Sequence, residues 1–373
     1  MSIAVLPDSE ASAGVRFAFA HLIAQREDAL LTTRYLRRTG SSWSWRVGRD
    51  VVGVTVTVPA PFFGRIVDHT AYALRSRDYT DEDVTDARAL ALVTRTREGA
   101  FADEVAGVSF PGRGFAEDAE RAARSTQLVD SAALRAFHLR NVVGSRLAIS
   151  VVGAVDVAKT RAMLERAFAG LPAGEPPTPS LVPALQGGET VILNAPGAAE
   201  ARVAVVMRLP SVAPADHAAA RVCAAAWSDL SWARLRVRRW MSYSTGARLV
   251  WLPEAAAIVA EASVAPEEVG AALEEMEGGL RRAAEVATSQ REEAWRSIAV
   301  RAHDVEATAD DLSRRIALHT PLVDTEPPSA EDVSRVCAAL STAPTGSVVL
   351  GDGKILLSDL ARRGRRVRLR PLP

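Results

Sequence analysis

The central segment of the chain, residues 146–182, constrains the fold more than any other part of the sequence. Residues 146–152 form an apolar run with β-branched members, which predicts a buried strand. Asp156 then stands as an N-cap, and apolar residues at helical spacing predict a helix over 156–169. Four prolines follow within 175–183, and such a segment forms a semi-rigid connector. One folded body is therefore expected to end here and another to begin.

The end of the chain repeats this central pattern. Residues 150–153 read SVVG and residues 347–351 read SVVLG, and a helical pattern follows each of them. Both halves also run in the order strand, helix, hairpin, helices, strand, which favours duplication, although SVV before glycine is also a common strand ending. We predict an α+β fold of two homologous domains, each a mainly antiparallel sheet with helices packed on one face. The predicted domains cover 1–172 and 186–373, with a proline-rich linker over 173–185.

Composition narrows the class of protein. The chain has 45 Lys and Arg against 45 Asp and Glu, so no net field attracts nucleic acid or an anionic membrane. The N-terminus lacks the basic and apolar regions of a signal peptide, and no stretch approaches the roughly 20 apolar residues that span a bilayer. A cytoplasmic protein without nucleic-acid or membrane partners is the expectation.

Two further features carry local predictions. Cys223 and Cys337 both stand in apolar helical contexts, which favours buried free thiols over a disulfide. Residues 99–129 are polar and contain glycine, which predicts loops with a short helix.

The sequence HLIAQ, residues 21–25, is the part of the chain closest to a metal motif. An inverted zinc helix needs His-x-x-Glu-His, in which two histidines bind the metal and the glutamate acts as general base. His21 matches the first histidine, but Ala24 cannot accept a proton and Gln25 is a poor zinc ligand. Taken alone, His21 is most simply a lone histidine in a helix.

Two segments resemble a known family. Residues 137–177 closely resemble the end of the first domain in the pitrilysin/insulinase-type metallopeptidases, in their processing-peptidase branch. Residues 235–245, LRVRRWMSYST, resemble that family's Leu-Arg-Glu-x-x-Gly-x-x-Tyr-Ser segment. Arg236 and Tyr243 stand at the expected spacing, whereas Val237 replaces the glutamate and Trp240 replaces the glycine.

The resemblance places His21, Ala24 and Gln25 at the inverted zinc motif. The family's third ligand, a glutamate on a later helix, falls near Thr94, and Glu98 lies one turn away. The implied chain is a non-catalytic subunit that has no metal and no peptidase activity of its own, with zinc expected on a homologous partner subunit. An active homodimeric peptidase is disfavoured by Ala24 and Gln25.

The resemblance also implies roles for Arg236 and Tyr243. In two-subunit members, the subunit without zinc contributes an Arg and a Tyr that hold the substrate peptide. The implied function is substrate binding within a heterodimeric zinc metallopeptidase that processes peptides, a leader peptide being one candidate. Two alternatives stay open: a structural scaffold without a processing role, and an ordinary surface arginine beside an ordinary strand tyrosine.

Overall fold

The computed structural model describes residues 1–8, 11–25, 34–47, 51–93, 97–112, 117–177, 182–185, 187–209, 213, 215–252, 254–300, 305–319 and 326–372. Residues 178–181 of the predicted linker lie outside this set, as does Thr94. The described chain forms two compact units, each assembled from three segments. The first unit comprises Met1–Arg95, Arg121–Pro179 and Ala302–Leu322, and the second comprises Thr96–Glu120, Ser180–Arg301 and Val323–Pro373.

Both halves of the chain contain helices and strands. The elements up to residue 168 are β1 Ser2–Val5, α1 Ala13–Gln25, β2 Ser42–Val47, β3 Val52–Thr57, α2 Phe63–Arg75, α3 Asp81–Val93, α4 Arg97–Ser109, α5 Ala119–Gln127, α6 Ser131–Asn141, β4 Leu147–Ser150 and α7 Val157–Phe168. The later elements are β5 Glu189–Asn194, β6 Ala201–Arg208, α8 Asp216–Ser231, β7 Thr245–Trp251, β8 Ala256–Val264, α9 Val269–Val286, α10 Arg291–Val300, α11 Val305–Ala317, α12 Ala330–Ser341, β9 Thr345–Gly351, α13 Gly353–Arg362 and β10 Arg366–Pro371.

The first unit contains a four-stranded antiparallel sheet in the order β2-β3-β1-β4. Ile3 and Val54 are opposite each other on β1 and β3, and both are buried in one core with Phe19 and Phe137. The two phenylalanine rings lie 4.9 Å apart, so α1 and α6 pack together on this face. Alternation along the strands places Ile3 in the core and Ser2 on the opposite face.

The second unit contains a six-stranded sheet in the order β10-β5-β9-β6-β8-β7. Only the β10–β5 and β5–β9 pairs among these strands are parallel. Val203, Val205 and Ile258 belong to a core that also contains Trp227 of α8 and Met276 of α9. The Trp227 indole is fully buried and donates a 2.9 Å hydrogen bond to the Met276 carbonyl.

Each unit takes one helix from the opposite half of the sequence. In the first unit, α11 covers the outer face of the sheet, where the Ser313 hydroxyl lies 2.9 Å from that of Ser2, and Ser150 donates to the Ala309 carbonyl. In the second unit, α4 lies over β6 and β9, and its Phe101 ring stacks on Arg202. The α+β prediction with mainly antiparallel sheets is confirmed, and these two helices add a layer on the second face of each sheet.

The prediction of loops over 99–129 is wrong, because α4 and α5 occupy most of that segment. One of the polar residues that suggested loops is instead buried, and it pairs with a strand remote in sequence. Glu104 is almost fully buried, where it accepts a hydrogen bond from the Ala119 amide and pairs with Arg370. Burial raises the pKa of the Glu104 carboxyl above its ordinary value, and Arg370 opposes that shift.

The prediction of free thiols is also wrong, because Cys223 and Cys337 form a disulfide. Cys223 lies on α8 and Cys337 on α12, and these helices pack with the two Cα atoms 5.7 Å apart. The separation of 114 residues hides this proximity in the sequence. The apolar contexts were interpreted correctly as buried, since both cysteines lie in the core of the second unit.

Two other sequence features have clear outcomes. The Asp156 carboxylate accepts a hydrogen bond from the Lys159 amide at 2.9 Å, so Asp156 is the N-cap of α7 as predicted.

Among the described residues, no helix combines the length and the apolar character needed to cross a bilayer.

Candidate functional site

Helix α8 ends in a π-helical segment, Trp232–Arg238, which carries Arg236. π-helical turns are rare and occur frequently at functional sites. Leu235 anchors the segment, since its side chain is fully buried and its carbonyl accepts the Met241 amide at 2.8 Å. The wider π turn therefore has a buried anchor directly beside Arg236.

Glu275 of α9 fixes the two ends of this segment. Its carboxylate pairs with Arg234 within the π turn and with Arg239 just after it, the latter at 2.7 Å. Glu275 is itself largely shielded from solvent, so these pairs are stronger than ordinary surface pairs. The backbone that presents Arg236 is thus held in place from both sides.

Arg236 lies between two aromatic rings. Its guanidinium carbon is 3.9 Å from the centroid of the Tyr243 ring and 5.0 Å from that of Trp240. Cation–π contacts of this kind stabilise a guanidinium and fix the plane of its donors. The rings themselves are exposed, Tyr243 at 85% and Trp240 at 72%. We call Arg236, Trp240 and Tyr243 the aromatic clamp.

One donor of the clamp is unused within the described part of the chain. The Arg236 Nη1 atom is buried and has no hydrogen-bond partner among the described residues. A buried guanidinium nitrogen without an acceptor costs free energy, on the order of 1–3 kcal/mol. A carbonyl or carboxylate oxygen would remove that cost if a shift of the exposed Trp240 or Tyr243 side chain opened a path to this atom. The clamp is therefore suited to hold a peptide by its backbone or by an acidic group.

Trp240 has a backbone φ of 58°, in the left-handed region that favours glycine. A bulky side chain there costs roughly 1–2 kcal/mol. The sequence comparison marked Trp240 as a departure because the family segment has glycine at this position. The structure shows that the glycine-type backbone is kept, and that the tryptophan ring contacts Arg236. Sequence reasoning missed this third clamp residue.

A pocket of about 740 Å³ begins directly after Tyr243. Ser244 and Thr245 line its edge, and small residues of β7 and β8 form much of its wall. The Thr245 Oγ1 atom is buried without a partner among the described residues. Arg202, Glu261 and Arg248 form a row of charges across the pocket, which sequence reasoning also missed. The sequence signal that could have revealed this row is the alternation of charged and apolar residues along β6, β7 and β8.

The zinc-motif positions lie on α1 of the first unit. His21 and Ala24 are partly exposed, and burial lowers the pKa of the His21 imidazole below its ordinary value near 6.5. The side chains of Gln25 and Glu98 lie outside the described residues, as Thr94 does entirely. Within the described residues, no group of three His, Cys, Asp or Glu side chains is placed to hold a metal. Alanine offers zinc no donor atom and water no base, so these residues do not fit the family's metal.

Comparison with known proteins agrees with this picture. Residues 129–292 match the family described as the peptidase M16 inactive domain. The fold is shared with the peptidase M16 inactive domain from Pseudomonas fluorescens, at a TM-score of 0.74 and 13% identity over 94% of this chain and 93% of that one. It is also shared with a protease from Helicobacter pylori, at a TM-score of 0.73 and 13% identity, with the same coverage of both chains. No curated protein matches the chain.

The fold and the altered motif define a peptidase-like protein that lacks the catalytic side chains of its class at the motif positions. More particularly, the part of the chain that matches a family model, residues 129–292, is similar to the peptidase M16 inactive domain. The family predicted from residues 137–177 and 235–245 is thereby confirmed.

Proposed function

We propose that this chain is the substrate-binding subunit of a heterodimeric zinc metallopeptidase that processes peptides. A homologous subunit supplies the zinc and the general base, and this chain holds the peptide. The observation that carries the proposal is the aromatic clamp, in which Arg236 has an oriented guanidinium and a buried Nη1 atom with no partner among the described residues.

The chemistry of the clamp suits a peptide. A guanidinium donates up to five hydrogen bonds in a rigid fork, and a phenol donates and accepts one more. Peptide carbonyls are acceptors, so Arg236 and Tyr243 offer two kinds of donor to one stretch of backbone. The exposed faces of Trp240 and Tyr243 add apolar contact area, and Trp, Tyr and Arg are the residues enriched at binding hot spots.

Reconstitution with a zinc-bearing homologue tests the proposal. The isolated chain should not cleave peptides, and the mixed pair should. Arg236→Ala and Tyr243→Ala should each lower kcat/KM of the pair by about ten- to a hundredfold, because a charge-assisted hydrogen bond contributes about 1.5–3 kcal/mol. Arg238→Ala is the matched control, since Arg238 is an exposed arginine two residues away on the same π turn.

The structural scaffold is the competing function, and the same experiment separates the two. A scaffold would support complex formation while both clamp variants kept full peptide cleavage. Unchanged kcat/KM in Arg236→Ala and Tyr243→Ala, with the pair still assembled, would therefore contradict the proposal.

A leader peptide of a biosynthetic precursor is the substrate class that we propose for such a pair, and the cytoplasm its location. The Cys223–Cys337 disulfide argues against the second point, because disulfides persist mainly in oxidising compartments, so the cytoplasm requires that the bond be reduced in the cell. Thiol quantitation on protein trapped at lysis with an alkylating agent tests the location. Two free thiols per chain would support the cytoplasm. A chain without any free thiol would contradict that location.

A further inference from the structure

We propose that the pocket beside the aromatic clamp is a specificity subsite that binds an acidic side chain, so that the preferred substrates are peptides with Asp or Glu near the clamp. This inference rests on the proposed peptide-binding function. It concerns the second unit alone, where all the pocket residues lie.

Strand register puts three charges in a row. Gly246 of β7 is opposite Glu261 of β8, and Arg248 is opposite Val259 two residues further along. On the other side of β8, Arg202 of β6 is opposite Ser263. Glu261 therefore has one arginine on each diagonal, on the sheet face that looks away from the main core.

Both arginines bind Glu261 with only part of their donor capacity. Arg202 Nη2 lies 2.7 Å from Glu261 Oε2, and Arg248 Nη2 lies 2.8 Å from Glu261 Oε1. The other guanidinium nitrogens of these two residues make no hydrogen bond within the described part of the chain. Both oxygens of Glu261 are occupied, whereas several N–H groups of these partly exposed arginines have no acceptor among the described residues and are open to a ligand. Donors thus exceed acceptors, and a carboxylate is the ligand that balances them.

Arg202 is also held in place by its surroundings. Its guanidinium carbon lies 4.9 Å from the centroid of the Phe101 ring, which is fully buried under α4. A pre-oriented guanidinium loses less entropy on binding a carboxylate than a free one. Glu200 is a second acidic residue that lines the pocket. With it, two glutamates balance the two arginines, so the pocket has no net charge. Selectivity therefore comes from the unused donors rather than from a broad positive field.

The position of the pocket fits a peptide that is held by the clamp. Ser244 and Thr245 line the pocket and follow Tyr243 directly in the chain. They lead into β7, which is an edge strand of the described sheet. An extended peptide advances about 3.3 Å per residue and places alternate side chains on one face. A peptide along this edge reaches the charged row within a few residues of the clamp.

Selection from a random dodecapeptide library displayed on phage tests the subsite, with the full-length chain as bait. The selected peptides should be enriched in Asp and Glu. A selected peptide and its Glu→Gln or Asp→Asn counterpart are then compared by fluorescence anisotropy, and the acidic form should bind about tenfold or more tightly. Arg248→Gln should abolish this ratio.

Two further variants make the test specific. Glu261→Gln frees both guanidinium groups of their internal carboxylate and should increase the preference for the acidic peptide, the opposite sign to Arg248→Gln. Arg368→Gln is the matched control, because Arg368 is also 53% exposed and pairs with a glutamate across strands, but on β10 at the other edge of the same sheet.

The outcomes separate the subsite from the underlying function. Enriched peptides without an acidic preference, or a preference that Arg248→Gln leaves intact, would overturn the subsite and keep peptide binding. Failure to enrich any peptide would count against peptide binding itself and, with it, the subsite. Loss of the preference in Arg368→Gln as well would also overturn the assignment to this pocket.

Discussion

The guanidinium of Arg236 stacks on the Tyr243 ring with its central carbon 3.9 Å from the ring centroid. The two residues are seven positions apart, one on a π turn and the other just before an edge strand. Their contact joins the end of α8 to the start of β7. It also leaves the far face of Tyr243 exposed to a ligand.

Arg236→Lys is expected to behave almost like Arg236→Ala. The substitution keeps the charge but removes the planar fork that stacks on Tyr243 and donates in two directions. We expect the kcat/KM of the reconstituted pair to fall by about tenfold or more, mainly through KM. Steady-state kinetics checks this, and activity near that of the wild type in the lysine variant would show that charge alone suffices.

Trp240 allows the backbone and side-chain contributions to be separated. Trp240→Gly and Trp240→Ala both remove the ring from Arg236, so both should weaken peptide binding equally. Only glycine relieves the left-handed backbone, so the glycine variant should be more stable than the alanine variant by about 1 kcal/mol. Urea unfolding of the two variants measures this difference. Equal stability would mean that residue 240 is not held at positive φ in solution.

The disulfide should contribute strongly to stability. Cross-linking residues 114 positions apart reduces the entropy of the unfolded chain, and loops of about 100 residues correspond to about 4–5 kcal/mol in the chain-entropy model. Dithiothreitol should therefore lower the Tm of the wild type. It should not affect Cys223→Ala/Cys337→Ala, whose Tm should already be low. A wild-type Tm that does not respond to the reductant would contradict the bond.

His21 should make stability depend on pH. Burial lowers its pKa in the folded state below the unfolded value near 6.5, so the folded state favours the neutral ring. The associated stability is complete above pH 6.5 and decreases as the pH falls below it towards the folded pKa. When the pH is lowered from 7.5 to 5, we expect the Tm of the wild type to fall by more than the Tm of His21→Gln. An NMR titration that gave His21 a pKa above 6.5 would contradict this, because His21 would then stabilise the folded state at low pH rather than at high pH.

The sequence predicted the local elements well where their signals were local. The Asp156 cap needs only its own helix, and β1 and the β2–β3 hairpin show apolar or alternating runs. The family resemblance could be found because residues 137–177 keep a local pattern and because Arg236 and Tyr243 keep a fixed spacing. Long-range packing left no such signal. The cysteine pair and the Glu104–Arg370 pair each join elements that are more than 100 residues apart in the chain.

The site shows the same division. Trp240 departs from the family pattern in its side chain but keeps its backbone, which cannot be deduced from the sequence alone. The row of Arg202, Glu261 and Arg248 depends on the register of three strands, and a slip of one residue would separate the charges. The departure at Val237 has no structural explanation beyond its exposed position.

Peptide binding by the isolated chain in the presence of EDTA tests the central claim most directly. Isothermal titration calorimetry with a peptide that the reconstituted pair cleaves should give saturable binding without cleavage. Arg236→Ala should weaken that binding by about ten- to a hundredfold, and Arg238→Ala should leave it unchanged. Equal Kd values for the wild type and Arg236→Ala would contradict the account.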